Sequence, residues 1–163
     1  MLSPFSLLVA VASISTFELQ NVTLPFQETG ITIAQLQNLT SLTLSHVTCM
    51  TSQLHLRELQ SLHTLTLEDL PALEELTVTS CDSLRQLSLI RLWNCGRMSF
   101  PGITSVQSLK LFMLCSNIGL DLFRGMGASV TELKLWRLPG FNDYQEIERV
   151  FVNIDPLNIG RIN

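Results

Sequence analysis

One stretch of this chain contains a short apolar pattern three times in succession, and this repeat constrains the fold more than any other feature. Residues 62–92 place apolar side chains at the first, fourth, sixth and ninth positions of each copy. The copies are Leu62, Leu65, Leu67 and Leu70, then Leu73, Leu76, Val78 and Cys81, then Leu84, Leu87, Leu89 and Leu92. One such unit cannot bury its apolar face alone, so the stretch predicts a solenoid whose stacked turns share a core.

The same pattern recurs along most of the chain. Its copies begin at positions 14, 39, 62, 84, 106 and 130, so the interval between neighbouring copies is nearly constant. The copy that begins at Leu73 falls halfway through one of these intervals. It is either an extra strand on the opposite face or an irregular, shortened repeat.

Five segments resemble the LxxLxL strand segments of leucine-rich-repeat proteins. They are LTSLTLSHV, LHTLTLEDL, LRQLSLIRL, VQSLKLFML and VTELKLWRL, and all lie between positions 14 and 138. Their spacing suits the length of one such repeat, which is roughly 20–29 residues. The resemblance implies an α/β leucine-rich-repeat solenoid with a parallel sheet on its concave face and short helices or turns on its convex face. The family's usual Asn or Cys after each strand is an aliphatic residue in nearly every copy, so we expect less regular turns.

The repeats suggest three parts, which are residues 1–13, 14–138 and 139–163. The apolar segment 1–13 is either the outer side of a first turn or a signal peptide, and it is too short to span a bilayer. No polar cap precedes the first repeat, so that end of the solenoid is expected to be covered by a partner or to self-associate.

Three connecting segments carry helix signals. Residues 31–37 and 52–60 have apolar residues at helix-like spacing, which predicts short helices or helical turns. After the last repeat, Asp143 and Glu146 form a capping box that predicts a helix from about Tyr144 to Asn153. Its apolar face is expected to shield the end of the solenoid, and consists of Ile147, Val150, Phe151 and Ile154.

Alternation along each strand predicts which side chains point out of the sheet. The row that follows the second strand leucine reads Gln20, Ser45, Glu68, Ile90, Phe112 and Trp136. Three adjacent turns therefore present Ile90, Phe112 and Trp136 in line. The predicted partner-binding residues are this trio with its neighbours Arg91, Lys110, Met113, Lys134 and Arg137. Either a protein partner with an acidic rim binds there, or the C-terminal segment or another chain covers the patch.

Charge is distributed unevenly along the chain. Residues 1–84 hold one basic and eight acidic residues, whereas residues 85–163 hold nine basic and six acidic ones. The net charge is −4, and the basic residues form no run, so we expect no nucleic-acid partner. The asymmetry predicts a scaffold with two differently charged ends.

Signals for catalysis or for a metal are few. His46 and Asp69, with Ser45 or Ser80 near them, form the only candidate catalytic constellation, and on a flat sheet we interpret it as surface hydrogen bonding. The four cysteines lack metal-ligand spacing, and buried free thiols in an intracellular protein are the favoured interpretation. Asn21 and Asn38 begin sequons that would accept glycans if the chain were secreted. We therefore expect no catalytic residue, metal or cofactor.

Two functions remain open from the sequence. The first is a protein–protein interaction module, the recognition part of a receptor or adaptor, that binds its partner on the concave sheet. The alternative is a secreted or cell-surface leucine-rich-repeat glycoprotein that binds a peptide or glycan.

Overall fold

A computed structural model of the chain describes residues 13–23, 30–48, 52–138, 144–154 and 159–162. The described residues form a parallel β-solenoid with two sheets. The seven-stranded sheet contains, in spatial order, β1 (Thr16–Gln20), β3 (Ser41–Ser45), β5 (Thr64–Glu68), β7 (Gln86–Ile90), β9 (Ser108–Phe112), β10 (Glu132–Trp136) and β11 (Ile159–Ile162). The four-stranded sheet contains β2 (Ile31–Ala34), β4 (Gln53–Arg57), β6 (Glu75–Thr79) and β8 (Arg97–Ser99).

The leucine column predicted from the repeats is confirmed. Its members pair across neighbouring strands of the seven-stranded sheet, and they are Leu42, Leu65, Leu87, Leu109 and Leu133. Each of them is 0% exposed. Since full burial of one leucine side chain contributes about 1.5–3 kcal/mol, this column and its neighbours dominate the stability of the fold.

The helices predicted for residues 31–37 and 52–60 are wrong, because these segments begin with β2 and β4. Burial there alternates with every second residue, as for Ile31 and Ile33, which is the period of a strand rather than a helix. The copy that begins at Leu73 is also a strand of the four-stranded sheet, β6. Each full turn in this region therefore contains two strands, one in each sheet.

The corners between strands and turns repeat one backbone conformation. Six residues that directly follow strands of the seven-stranded sheet have φ between 47° and 53°, and they are Asn21, His46, Asp69, Arg91, Met113 and Arg137. In five of the six, the backbone N–H donates to the last strand residue of the next turn, as Asp69 does to the Ile90 carbonyl at 2.9 Å. This left-handed conformation is unfavourable for non-glycine residues, so the ladder of hydrogen bonds helps to hold it.

These corners are regular, contrary to the expectation from the missing Asn or Cys positions. The aliphatic residues that stand there instead, such as Val47, Leu70 and Leu92, are at most 1% exposed. They fill the corner with apolar contacts, while backbone groups supply the hydrogen bonds.

The C-terminal part departs from the two-strand turn. A 3₁₀ helix, Leu120–Met126, follows β9, and the helix α1, Tyr144–Val150, packs against it. The helix predicted from about Tyr144 to Asn153 ends earlier, at Val150. The predicted burial is confirmed, since Ile147 and Val150 of α1 and Phe151 just after it are buried, and Ile154 is partly buried against the core. Asp143, the first residue of the predicted capping box, lies outside the described residues.

The edge of the seven-stranded sheet is extended by a strand. β11 pairs with β10 in parallel, with Trp136 aligned to Ile162. The expectation that α1 alone would shield this end is therefore incomplete. At the opposite edge, no described strand pairs with the outer side of β1, where Phe17 and Leu19 are only partly buried. No helix in the described part of the chain is long and apolar enough to cross a bilayer.

Candidate functional site

The predicted row of apolar side chains lies on the outward face of the seven-stranded sheet. Ile90 pairs with Phe112, and Phe112 pairs with Trp136, on three successive strands. All three side chains are half-buried, while the leucines that alternate with them are in the core. The Phe112 and Trp136 rings meet edge to face at 85°, with their centroids 5.9 Å apart. We refer to this row, with Lys110, Met113, Lys134 and Arg137, as the aromatic–cationic patch.

The described part of the C-terminal segment lies beside this patch. β11 continues the sheet next to β10, so that its backbone extends the row from Trp136 to Ile162. A strand in the plane of the sheet leaves the outward face of its neighbour open. Residues 159–162 therefore do not fold over the patch.

The three patch cations differ in what they contact. The Arg137 guanidinium stands over the Trp136 ring, 5.3 Å from its centroid, in a cation–π contact. Lys134 donates from Nζ to Glu132 Oε1 at 2.8 Å on the same strand. Lys110 forms no ion pair within the described residues, although its charge also acts on the Glu132 carboxylate and helps to lower the pKa of that group. In the part of the chain that the structure describes, Arg137 and Lys110 are therefore the patch cations without a direct ion pair.

Glu132 is held as a carboxylate at the border of the patch. The hydrogen bond from Lys134, followed by the hydrogen bond from the Ser108 hydroxyl at 2.6 Å, lowers the pKa of its carboxyl group. Lys134 is thus matched by a local negative charge. Of the three cations in the patch, Lys134 is the one that forms a direct ion pair.

Arg91, which the sequence also assigns to partner binding, is engaged within the chain. Its Nη2 lies 2.9 Å from Glu68 Oε1, and its Nε lies 3.8 Å from Asp69 Oδ2. Nη2 is also 3.0 Å from His46 Nε2. A guanidinium with these contacts has little capacity left for a partner, so we place Arg91 in a separate polar cluster with Ser45, His46, Glu68 and Asp69.

The hydrogen bonds of this polar cluster run in the direction opposite to that of a catalytic triad. Because Arg91 can only donate, His46 Nε2 must accept, and the proton of the neutral ring is then on Nδ1. Nδ1 lies 2.7 Å from Ser45 Oγ, and this hydroxyl donates to Glu68 Oε2 at 3.2 Å. His46 therefore donates to Ser45 instead of accepting its proton, which is the reverse of nucleophile activation.

Asp69 also lacks the position of an orienting acid. Its Oδ2 is 3.6 Å from His46 Nε2, which is the atom that accepts from Arg91. Ser80, the other hydroxyl considered from the sequence, follows β6 of the four-stranded sheet and does not join this cluster. The cluster is a closed network of hydrogen bonds that ties three successive turns together.

Among the buried side-chain polar groups of the described residues, the indole N–H of Trp136 stands out because it lacks a hydrogen-bond partner. Its Nε1 is buried and has no hydrogen-bond partner within the described residues. Leaving a buried donor unpaired typically costs about 1–3 kcal/mol. Among the contacts of the described residues, ring contacts with Phe112 and Arg137 hold the Trp136 side chain.

The thiols that the structure describes are free. Cys81 and Cys95 are buried, and Cys115 is partly exposed, whereas Cys49 lies outside the described residues. Burial raises the pKa of the Cys95 thiol to about 12, and burial is also the largest cause of the raised pKa of Cys81. Both buried groups stay neutral at ordinary pH and pack as small apolar side chains.

The rate of alkylation should distinguish the buried cysteines from the partly exposed one. At pH 8 we expect iodoacetamide to modify Cys115 at least about tenfold faster than Cys95 in the native protein, since only a thiolate that reaches solvent reacts. Mass spectrometry of the peptides at successive times measures the rates, and alkylation in denaturant gives the reference. Equal native rates would contradict the burial of Cys95.

Both predicted glycan acceptors are on the surface. Asn21 follows β1, Asn38 lies in the turn before β3, and both side chains are exposed. The position of these residues is compatible with modification, which stays a prediction. Among the residues that the structure describes, no group of three or more His, Cys, Asp or Glu side chains could hold a metal ion.

A separate groove of about 410 Å³ lies along the turns rather than on the sheet face. Asn94 and Asn117 from successive turns line it, and each donates its side-chain amide to the previous turn, to the carbonyls of Pro71 and Gly96. These bonds fasten neighbouring turns to one another. The groove is thus part of the contact between turns.

The sequence interpretation grouped Ser45, His46 and Asp69 of the polar cluster but missed Glu68 and Arg91. This interpretation considered each row of equivalent positions separately and so assigned Arg91 to the patch beside Ile90. Its partners Glu68 and Asp69 lie on the preceding turn. The signal was present as opposite charges at the same corner of successive turns, Asp69 and Arg91. Pairs across strands must therefore be examined together with rows along the solenoid.

Comparison with known proteins assigns this chain to no family. No protein-family model, curated protein or solved structure matches it. Its function must therefore be inferred from the geometry of its own residues.

Proposed function

We propose that this chain is a protein–protein interaction module that binds its partner through the aromatic–cationic patch. The single observation that carries the proposal is the alignment of three large apolar side chains, half-exposed on adjacent strands, beside Lys110 and Arg137, which form no direct ion pair within the described residues. Aromatic residues and arginine contribute most of the energy at protein interfaces. The rest of the sheet face carries mainly hydroxyl and other polar side chains, so the patch is the energetic centre of this surface.

We further propose that the scaffold is an atypical leucine-rich repeat that serves as the recognition part of a receptor or adaptor. The near-constant spacing of the LxxLxL segments supports this assignment, because it lies within the range of repeat lengths in that family. Repeats of that family follow each strand with a helix or 3₁₀ segment. Within the described ranges, four turns have a second strand and one has a 3₁₀ helix, which is the reason for calling the repeats atypical.

The test of the binding surface compares two tryptophans. Wild type, Trp136→Asp and Trp93→Asp are used in parallel for affinity capture from native extract, because Trp93 is 51% exposed but lies in a turn away from the patch. We expect Trp136→Asp to weaken binding at least about thirtyfold, the effect of losing an interface hot spot of about 2 kcal/mol. Trp93→Asp should retain the partner.

Trp136 is half-buried, so its replacement must not be confused with unfolding. Thermal melting by circular dichroism verifies each variant, and Lys110→Glu provides a second change at the patch whose side chain points out of the sheet. Capture of the same proteins by wild type and by folded Trp136→Asp and Lys110→Glu would show that the patch is not the binding site.

A further inference from the structure

The aromatic–cationic patch has the dimensions and the charges for one kind of occupant. We propose that it binds a short extended segment of another protein in which two acidic residues flank an apolar one, with the carboxylates paired to Lys110 and Arg137. This inference rests on the proposed function and specifies its ligand. It depends on the size of the sheet face, on which patch cations already have an ion pair, and on the position of the apolar row between Lys110 and Arg137.

The size of the face favours a short segment over a folded domain or a second copy. Seven strands of about five residues give the sheet a projected area of roughly 600 Å². A stable protein–protein interface of standard size buries about 800 Å² on each partner. A projected area is smaller than the accessible area of the same face, but the aromatic–cationic patch occupies only three of the seven strands and therefore falls short of this size. A peptide that lies across the patch needs no larger surface.

The charges select acidic residues at two positions. Lys134 is matched by Glu132 at 2.8 Å, and Arg91 is matched by Glu68 at 2.9 Å. Lys110 has no ion pair among the described residues, and Arg137 contacts only the Trp136 ring among the contacts described. Two of the cations predicted from the sequence therefore remain available, and a partner gains most by placing a carboxylate on each.

The positions of Lys110 and Arg137 set the spacing of the acidic residues. Lys110 is on β9, level with Lys134 of β10, and Arg137 follows Lys134 at the third position along the chain. The Cα atoms of Lys110 and Arg137 are thus about 11 Å apart, which an extended chain spans in about three to four residues. Only every second side chain of an extended chain points the same way, so the two carboxylates and the apolar side chain between them all face the patch when they are at the first, fifth and third positions. Phe112 and Trp136 lie between the levels of the two cations, opposite that third position.

The contacts of Trp136 argue against a nucleic acid as the occupant, although cations and aromatics also occur together in such sites. Base stacking requires an open ring face. One face of the Trp136 ring is covered by the Arg137 guanidinium, and Phe112 meets this ring edge to face.

The experiment selects short peptides from a random phage-displayed library on the wild-type chain, then titrates the consensus peptide by fluorescence anisotropy. The variants are Trp136→Asp and the double change Lys110→Glu with Arg137→Glu. The control double change is Arg124→Glu with Arg149→Glu, which alters net charge equally but lies on the 3₁₀ helix and α1. Melting curves verify that all are folded.

We expect the selected peptides to be enriched in two acidic residues four positions apart, with an apolar residue midway between them. The affinity should fall at least about tenfold in the patch double variant, change less than about twofold in the control, and weaken with added salt. A consensus without acidic residues, or an unchanged affinity in the patch double variant, would overturn this inference. If the same binding is lost in Trp136→Asp, the proposed function is still supported.

Three further results would overturn the peptide proposal. Peptide binding that survives Trp136→Asp would contradict both this inference and the proposed function. Sedimentation velocity that shows a wild-type dimer abolished by Trp136→Asp would identify a second copy as the occupant. Tight binding of a labelled single-stranded oligonucleotide, lost in the patch double variant, would identify a nucleic acid instead.

Discussion

The Leu87→Asn variant is expected to melt about 10–15 °C below the wild type, the largest effect we anticipate from a single substitution. Leu87 is 0% exposed and stands between Leu65 and Leu109 in the central column. The change removes apolar contacts and places an amide where the neighbouring strands have no free hydrogen-bonding group. Together these effects cost about 4–5 kcal/mol, and each kcal/mol lowers the melting temperature by about 2–4 °C in a chain of this size.

Ser88→Asn is the matched control for this change. Ser88 is the next residue on the same strand, and its half-buried side chain points out of the sheet. It should melt within about 2 °C of the wild type, since surface substitutions usually change stability by less than about 0.5 kcal/mol. Equal melting temperatures for the Leu87 and Ser88 variants would place Leu87 outside the core and would contradict the solenoid register.

The same substitution near the end of the array should cost less. Leu19 on the edge strand β1 is only partly buried, and a terminal turn has one neighbour rather than two. Leu19→Asn should therefore lower the melting temperature by less than half as much as Leu87→Asn. This gradient follows from a core shared between adjacent turns and would be absent in a fold with one central core.

The register of the seven-stranded sheet could be predicted because it depends on local alternation alone. Once Leu65 and Leu67 point inward, Thr64, Thr66 and Glu68 must point outward. Stacking then follows from the nearly equal spacing of the repeats, and the predicted rows match the observed strand pairs. The same alternation places Ile90, Phe112 and Trp136 in line.

The four-stranded sheet was missed because the period was assigned as a whole turn. Core residues follow one another at a constant interval that is half of a turn, and they are Leu54, Leu65, Leu76, Leu87, Met98 and Leu109. A whole turn thus consists of two nearly equivalent halves, and each half forms a strand. The copy at Leu73 was the visible sign of this shorter period. The resemblance to leucine-rich repeats favoured helices on the opposite side and concealed it.

The polar cluster and the C-terminal packing could not be predicted in detail, because both depend on side-chain directions and close contacts between distant segments. Glu68 and Arg91 meet diagonally between a strand end and the next corner. The packing role of Gly127 depends on where α1 docks, and no local pattern encodes that position.

Gly127→Ala is expected to lower the melting temperature by about 6–12 °C although it adds a single methyl group. Gly127 directly follows the 3₁₀ helix with φ −59° and ψ −31°, a conformation that alanine adopts without strain. The cost is therefore steric. A Cβ at this position would overlap the carbonyl oxygen of Val150 and would approach the Val150 carbonyl carbon to 2.9 Å.

A backbone carbonyl cannot rotate away as a flexible side chain can, so α1 must shift as a unit. The shift loosens the contacts of the buried residues Ile147, Val150 and Phe151 with the 3₁₀ helix and the core. It also strains the hydrogen bond from the Asn153 amide to the Ala128 carbonyl, 2.7 Å long. Overpacking of this kind costs about 3 kcal/mol, which gives the expected change in melting temperature.

Gly125→Ala separates this steric effect from a general effect of removing a glycine. Gly125 lies in the same 3₁₀ helix, and a Cβ there would come no closer than 3.9 Å to the Ile103 carbonyl oxygen, which is ordinary van der Waals contact. This variant should melt at or slightly above the wild-type temperature, because alanine restricts the unfolded chain. Hydrogen exchange should locate the damage in Gly127→Ala, with faster exchange in residues 144–151 and unchanged protection in β3, β5 and β7. If the two alanine variants melt together, α1 does not dock against Gly127, and the close approach that ties the C-terminal helix to the solenoid is wrong.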